Sequence, residues 1–133
     1  MSSFTEPLYV VQLPDSDEWL TLRAFSYWYD CEDTDAPICV RCRACITVPD
    51  GTRTDFASIP RPLWSLIGHP AGRYAQAAVL HDYLYRSGRL PRARCDALFL
   101  EAMEVLGVPW LQRCLMWAGV RVGGFMAYTK GAP

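Results

Sequence analysis

The sequence predicts an α+β domain, with a small N-terminal antiparallel β-sheet followed by a three-helix C-terminal bundle around a buried central helix. Three observations carry this. In Ile38 to Val48, Ile38, Val40, Cys42, Ala44, Ile46 and Val48 alternate with Cys39, Arg41, Arg43, Cys45 and Thr47, the period of a strand. Gly72 to Arg86 is apolar nearly all round, which marks a buried helix. Two further segments with helical spacing follow, punctuated by Ser87-Gly88, Gly107 and Pro109. The chain has 133 residues, 51% hydrophobic and 20% charged, so it can close a sizeable core as one domain and is not expected to be disordered. That domain divides into a β-rich part (1–50), an irregular loop (51–70), a helical part (71–125) and a tail (126–133).

Taken in order, Leu8 to Leu13 is a short apolar run ended by Pro14-Asp15, and Trp19 to Trp28 mixes aromatic, β-branched and leucine positions. Cys31 to Pro37 carries three acids and a proline, the composition of a turn or exposed loop. If the segments around Tyr27–Asp30 and Cys39–Arg43 pair, that loop closes a hairpin. Pro49-Asp50-Gly51 turns the chain after Val48. Residues 52–70 form an irregular bridge, because Pro60 and Pro62 exclude a long helix. Leu63 to Ile67 has room for one helical turn before Gly68-His69-Pro70. In the second helix Leu98, Phe99, Ala102, Met103 and Leu106 share a face, with Glu101 and Glu104 outward. In the third, Trp110, Leu111, Cys114, Leu115, Ala118 and Val122 run down one side until Gly123-Gly124 ends it.

The net charge is −1, which gives no long-range attraction to nucleic acid or anionic membranes. No apolar run reaches the roughly 18 residues that span a bilayer. Met1 to Glu6 has neither a basic start nor an apolar core, so no secretory signal is read there and synthesis in the cytosol is expected. Five tryptophans and seven tyrosines exceed what a small core needs, and protein partners or self-association are expected to cover part of them. The spacing Cys39-x-x-Cys42-x-x-Cys45 invites a zinc reading, but strand alternation sends Cys42 to the opposite face, and Cys31 still leaves a fourth ligand missing. No structural zinc is therefore expected.

His81 and Asp82 stand side by side within the apolar helix. Burying such groups costs free energy unless they are paired or hydrogen-bonded. Tyr85 lies one turn beyond His81 on the same face, with Ala77, Ala78 and Tyr74 behind it. Asp96 opens the next helix after a short connection, so the two helices should be antiparallel neighbours. A carboxylate there can take an imidazole N–H and leave the other ring nitrogen as a base. Asp55 and Ser58, in the proline-rimmed loop, are second candidates beside this centre or local caps. Arg61, Arg73 and Arg86 are candidates to neutralise the acids, or solvated charges, and His69 reads as a loop residue.

His81-Asp82-x-x-Tyr85 followed by Cys95-Asp96-x-x-Phe99 resembles the core of the secretory phospholipase A-two family, particularly its bacterial members. The resemblance implies His81 as general base, Asp82 as calcium ligand, Asp96 as orienter and Tyr85 as support. The family's glycine-rich calcium loop and the cysteine expected at Leu84 have no counterpart. A longer stretch is similar to the domain-of-unknown-function family 1353 of tailed phages and prophages. It runs through Val48-Pro49-x-Gly51-x-x-Thr54-Asp55-Phe56-Ala57-Ser58-Ile59-Pro60-Arg61, Ala77 to Tyr85, Asp96 and Phe99 to Met103. That likeness implies a phage-encoded protein, made in the host cytoplasm and carried in the virion as a tail or baseplate component. Two functions follow as expectations. One is an assembly domain whose His–Asp network only rigidifies the fold. The other is a His–Asp hydrolase of an acyl ester, with a lipid substrate, in which His81, Asp96 and Tyr85 are catalytic, Asp82 and Asp55 hold calcium or another divalent ion, and Ser58 and Arg61 support them.

Overall fold

A computed structural model describes residues 2–16, 18–30, 43–55 and 74–123. Six strands come first: β1 (Ser3–Phe4), β2 (Val10–Gln12), β3 (Trp19–Thr21), β4 (Phe25–Asp30), β5 (Arg43–Val48) and β6 (Arg53–Thr54). Among the described residues three helices follow: α1 (Ala75–Ser87), α2 (Arg92–Val105) and α3 (Trp110–Gly123). The α+β architecture is as the patterning predicts. The β part, however, is two three-stranded antiparallel sheets, ordered β1-β4-β5 and β2-β3-β6. The Trp19 to Trp28 segment is the reason. It breaks after Thr21, so β3 joins one sheet and β4 the other.

Strands β4 and β5 pair antiparallel, in register from Phe25 against Val48 to Asp30 against Arg43, so Tyr27–Asp30 meets the stretch from Arg43 to Ile46 rather than the Cys39–Arg43 segment expected. Alternation sets its faces. Phe25, Tyr27 and Tyr29 are buried on β4 while Trp28 and Asp30 face outward, and Val48 is buried on β5 while Arg43, Cys45 and Thr47 are exposed. Cys45 thus lies on the outer face, whereas Cys31, Cys39 and Cys42 fall outside the described residues.

The turn after β5 is held from β3. The buried Thr21 hydroxyl donates to the Pro49 carbonyl at 3.0 Å and accepts from the Thr52 amide at 2.9 Å. The Gly51 amide donates to the Thr21 carbonyl at 2.8 Å, and Gly51 takes φ 75°, a conformation that suits glycine. This clamp delivers β6 to the side of α1.

Helix α1 is the buried centre, with Ala75 to His81, Leu84 and Tyr85 all out of solvent. Gly88 at φ 62° ends it in a left-handed cap, its amide on the Leu84 carbonyl at 3.2 Å. The short link to Pro91 returns the chain antiparallel as α2, whose Cys95, Leu98, Phe99, Ala102 and Met103 are buried. The Tyr27 hydroxyl, buried in β4, donates to Glu101 Oε1 at 2.7 Å and ties this helix to the sheet. Gly107, at φ 78°, starts the turn into α3.

Helix α3 packs by its other side. Its inward contacts come from Met116 and Val120, while Leu111, Leu115, Ala118 and Val122, on the side singled out by periodicity, face solvent. No helix among the described residues is long and apolar enough to cross a membrane.

Candidate functional site

The centre is Asp96, in the second turn of α2 and wholly buried. Its Oδ1 lies 2.7 Å from His81 Nε2, and the Tyr85 hydroxyl donates to the same oxygen. Its Oδ2 accepts from Arg121 Nη1 at 2.8 Å. His81 and Tyr85 reach one acid because four helical positions separate them, which stacks them on one face. Their rings are 4.0 Å apart between centroids, and Phe99 of α2 closes on the imidazole at 4.7 Å. The meeting of His81, Asp96 and Tyr85 is thus as the antiparallel helix argument predicts.

Burial pushes the Asp96 carboxyl pKa up, but the hydrogen bonds from His81, Tyr85 and Arg121 outweigh it, and the pKa falls below its ordinary value of 3.8. Burial, and next the bond to Asp96, push the Tyr85 phenol well up, so it stays protonated and donates. An ionised carboxylate only accepts, so His81 Nε2 carries the proton between the two. In the neutral ring the lone pair then sits on Nδ1. That atom is buried and has no hydrogen-bond partner among the described residues, and the residue is 2% exposed.

The polar set extends past what periodicity showed. Arg92, at the start of α2, donates from Nε to the Tyr85 hydroxyl at 3.3 Å and from Nη2 to the Val120 and Arg121 carbonyls at 2.9 and 2.6 Å. It joins the α1–α2 pair to the end of α3. Among the described residues, Arg121 is the cation that meets the buried acid. Arg86 instead donates to the Arg53 carbonyl, and Arg61 and Arg73 lie outside the described residues. One signal did point to Arg121. It is a charge in the last turn of a helix whose preceding seven residues, Cys114 to Val120, are uncharged, and such a charge calls for a partner.

Asp82 points elsewhere. It is half-buried, and its Oδ2 accepts from the hydroxyl of Thr54, a fully buried residue of β6. Thr54 carried no periodic signal. Asp55 follows it directly, which brings the loop aspartate to the strand end that meets α1. Ser58 and His69 lie outside the described residues. No group of three or more His, Cys, Asp or Glu able to hold a metal occurs among the described residues. Calcium takes six to eight oxygens, and of the expected ligands Asp82 is bonded to Thr54 among the described residues.

Comparison with known proteins places the chain. Residues 33–120 match the family described as a protein of unknown function, DUF1353, and the chain belongs to it. It is also 40% identical over 78 residues to the uncharacterized protein y4jT of Sinorhizobium fredii (strain NBRC 101917 / NGR234). That match covers 57% of this chain and 23% of the relative, so the chain spans about a quarter of the relative's length. No solved structure matches.

Proposed function

We propose that this chain is a non-catalytic assembly domain, a phage-encoded component of a virion tail or baseplate, in which the His–Asp network sets the packing of the three helices. The observation that carries this is closure. Asp96 is wholly buried and His81 is 2% exposed, with the charge of Asp96 matched inside the domain by Arg121 and two further donors. A general base must come within hydrogen-bond reach of the proton it abstracts, and among the described residues His81 has almost no surface from which to do so. The likeness to a family of tailed phages and prophages supplies the virion setting, and the exposed tryptophan and leucine side chains supply a surface for assembly.

One observation favours a second reading. Nδ1 of His81 is a buried polar atom without a partner among the described residues, and such atoms call for an explanation. With Nε2 held by Asp96, Nδ1 is the ring nitrogen that would have to act as the water-activating base of an acyl-ester hydrolase.

Turnover separates the two. Purified wild type and His81→Asn are assayed on short-chain acyl esters and on phospholipid vesicles, with and without calcium. The assembly reading expects neither protein to turn over either substrate. Hydrolysis by wild type that disappears in His81→Asn, at an unchanged thermal midpoint, would establish the hydrolase instead.

A further inference from the structure

Helix α3 is held differently from the other two helices. Helix α1 buries nine residues and α2 six. Between Trp110 and Val122 on α3, Met116 and Val120 alone are buried. The two ends of α3 are fixed by different means, and both holds lie on α2. Before its N-terminus the chain is pinned to the end of α2. The Gly107 amide donates to the Glu104 carbonyl and the Val108 amide to the Met103 carbonyl, each at 3.0 Å, and the Val108 side chain is buried. At the C-terminal end the hold is polar. Arg121 Nη1 reaches Asp96 Oδ2 at 2.8 Å, and Arg92 Nη2 takes the Val120 and Arg121 carbonyls at 2.9 and 2.6 Å. Those carbonyls belong to the last turn, which has no acceptor role left inside the helix and favours a cation.

A polar hold fails differently from an apolar one. When this end lifts, water solvates Arg121 and both carbonyls. Asp96 keeps the donors His81 and Tyr85, which belong to α1, so the opened form does not strand a bare charge. The apolar cost is limited to the few side chains α3 buries, and such elements open at lower free energy than the whole domain. We infer that α3 is a hinged arm. It pivots at Gly107-Val108-Pro109, is latched at its far end by Arg92, Arg121 and Asp96, and opens as a unit while the sheets and the α1–α2 pair stay folded. Opening gives Oδ2 of Asp96 to water, so the closed centre is the latched state of the domain. The arm goes beyond the assembly reading and does not depend on it, because ester turnover does not enter its test.

Native-state hydrogen exchange of the full chain, followed by NMR across low denaturant, tests the arm. Amides of Cys114 to Val120 are expected to share one opening, with protection at least roughly tenfold below that of Val79 to Leu84. Their denaturant dependence is expected to be shallower, because a partial opening exposes less surface. Arg121→Met is expected to speed their exchange by about two- to fivefold. Val48→Ala, in β5, is expected to speed exchange in α1 and leave α3 unchanged, because the sheet is intact in both the latched and the opened form. Equal protection and equal slopes in α3 and α1 overturn the arm. So does exchange in α3 that Val48→Ala accelerates as much as in α1, or that Arg121→Met leaves unchanged. Amides that open one by one from the C-terminal end, without a common slope, reduce it to fraying and overturn it as well.

Discussion

Around Asp96 the chain buries a full negative charge, while along the outer side of α3 it leaves leucine, valine and tryptophan in water. The two regions share a helix. Arg121, which reaches inward to Asp96, sits one residue before the exposed Val122. The buried acid is tolerable because three donors replace the water it lost. The exposed hydrocarbon has no such compensation among the described residues. Polarity against the usual grain is therefore resolved internally in one region and left exposed in the other. Substitutions in the two regions should behave oppositely.

The largest effect is expected at the acid. Asp96→Ala strands His81, Tyr85 and Arg121, and should cost about 3 kcal/mol, read from denaturant unfolding. A loss under 0.5 kcal/mol would mean that the network does not hold the helices together. Acid should reproduce part of this loss. The folded-state pKa of Asp96 is depressed, so its contribution is fully present above the unfolded value near 3.8 and is lost as pH falls through the lower folded value. The stability gap between wild type and Asp96→Asn should hold steady above about pH 5 and narrow as the solution is acidified below 4. A gap independent of pH down to 2 would contradict an ionised Asp96.

Tyr85→Phe removes one donor to Asp96 and the acceptor for Arg92, and should cost about 1.5 kcal/mol in the same unfolding measurement. Arg121→Met should cost about 1 kcal/mol. Its side chain is partly solvated, and screening weakens the pair from that side. Smallest of all, Leu115→Glu should change monomer stability by less than about 0.5 kcal/mol, since the position faces solvent. A large loss there would show that the outer face of α3 is packed by its own chain, and would erase the contrast with Asp96.

How the sequence related to the structure differs between the two regions. The His81 and Tyr85 pair was readable because four helical residues bring side chains onto one face, whatever surrounds the helix. Asp96 was readable because Gly88 and Pro91 bound a connection too short for any arrangement but antiparallel neighbours. The alternation of β5 was legible on the same local grounds, but its register against β4, which sets Asp30 opposite Arg43 and Tyr27 opposite Ile46, was not. The family resemblance likewise lay in contiguous residues, and the match to DUF1353 bears it out.

Other features lay beyond local pattern. Periodicity showed that one side of α3 is apolar, but not which way it faces. That was decided by Arg121 bonding to Asp96 and by Arg92 gripping the Val120 and Arg121 carbonyls, across 25 to 29 residues of chain. Thr54 found Asp82 across 28 residues, and the split into two sheets came with the same long-range placement. A helix or strand carries its own face pattern in its spacing, so the sequence by itself determined the α+β class, the alternation of β5 and the His81–Tyr85–Asp96 cluster. Which cation meets the buried acid, and which apolar face remains outside, depend on the relative rotation of elements distant in the chain. Only tertiary packing decided those.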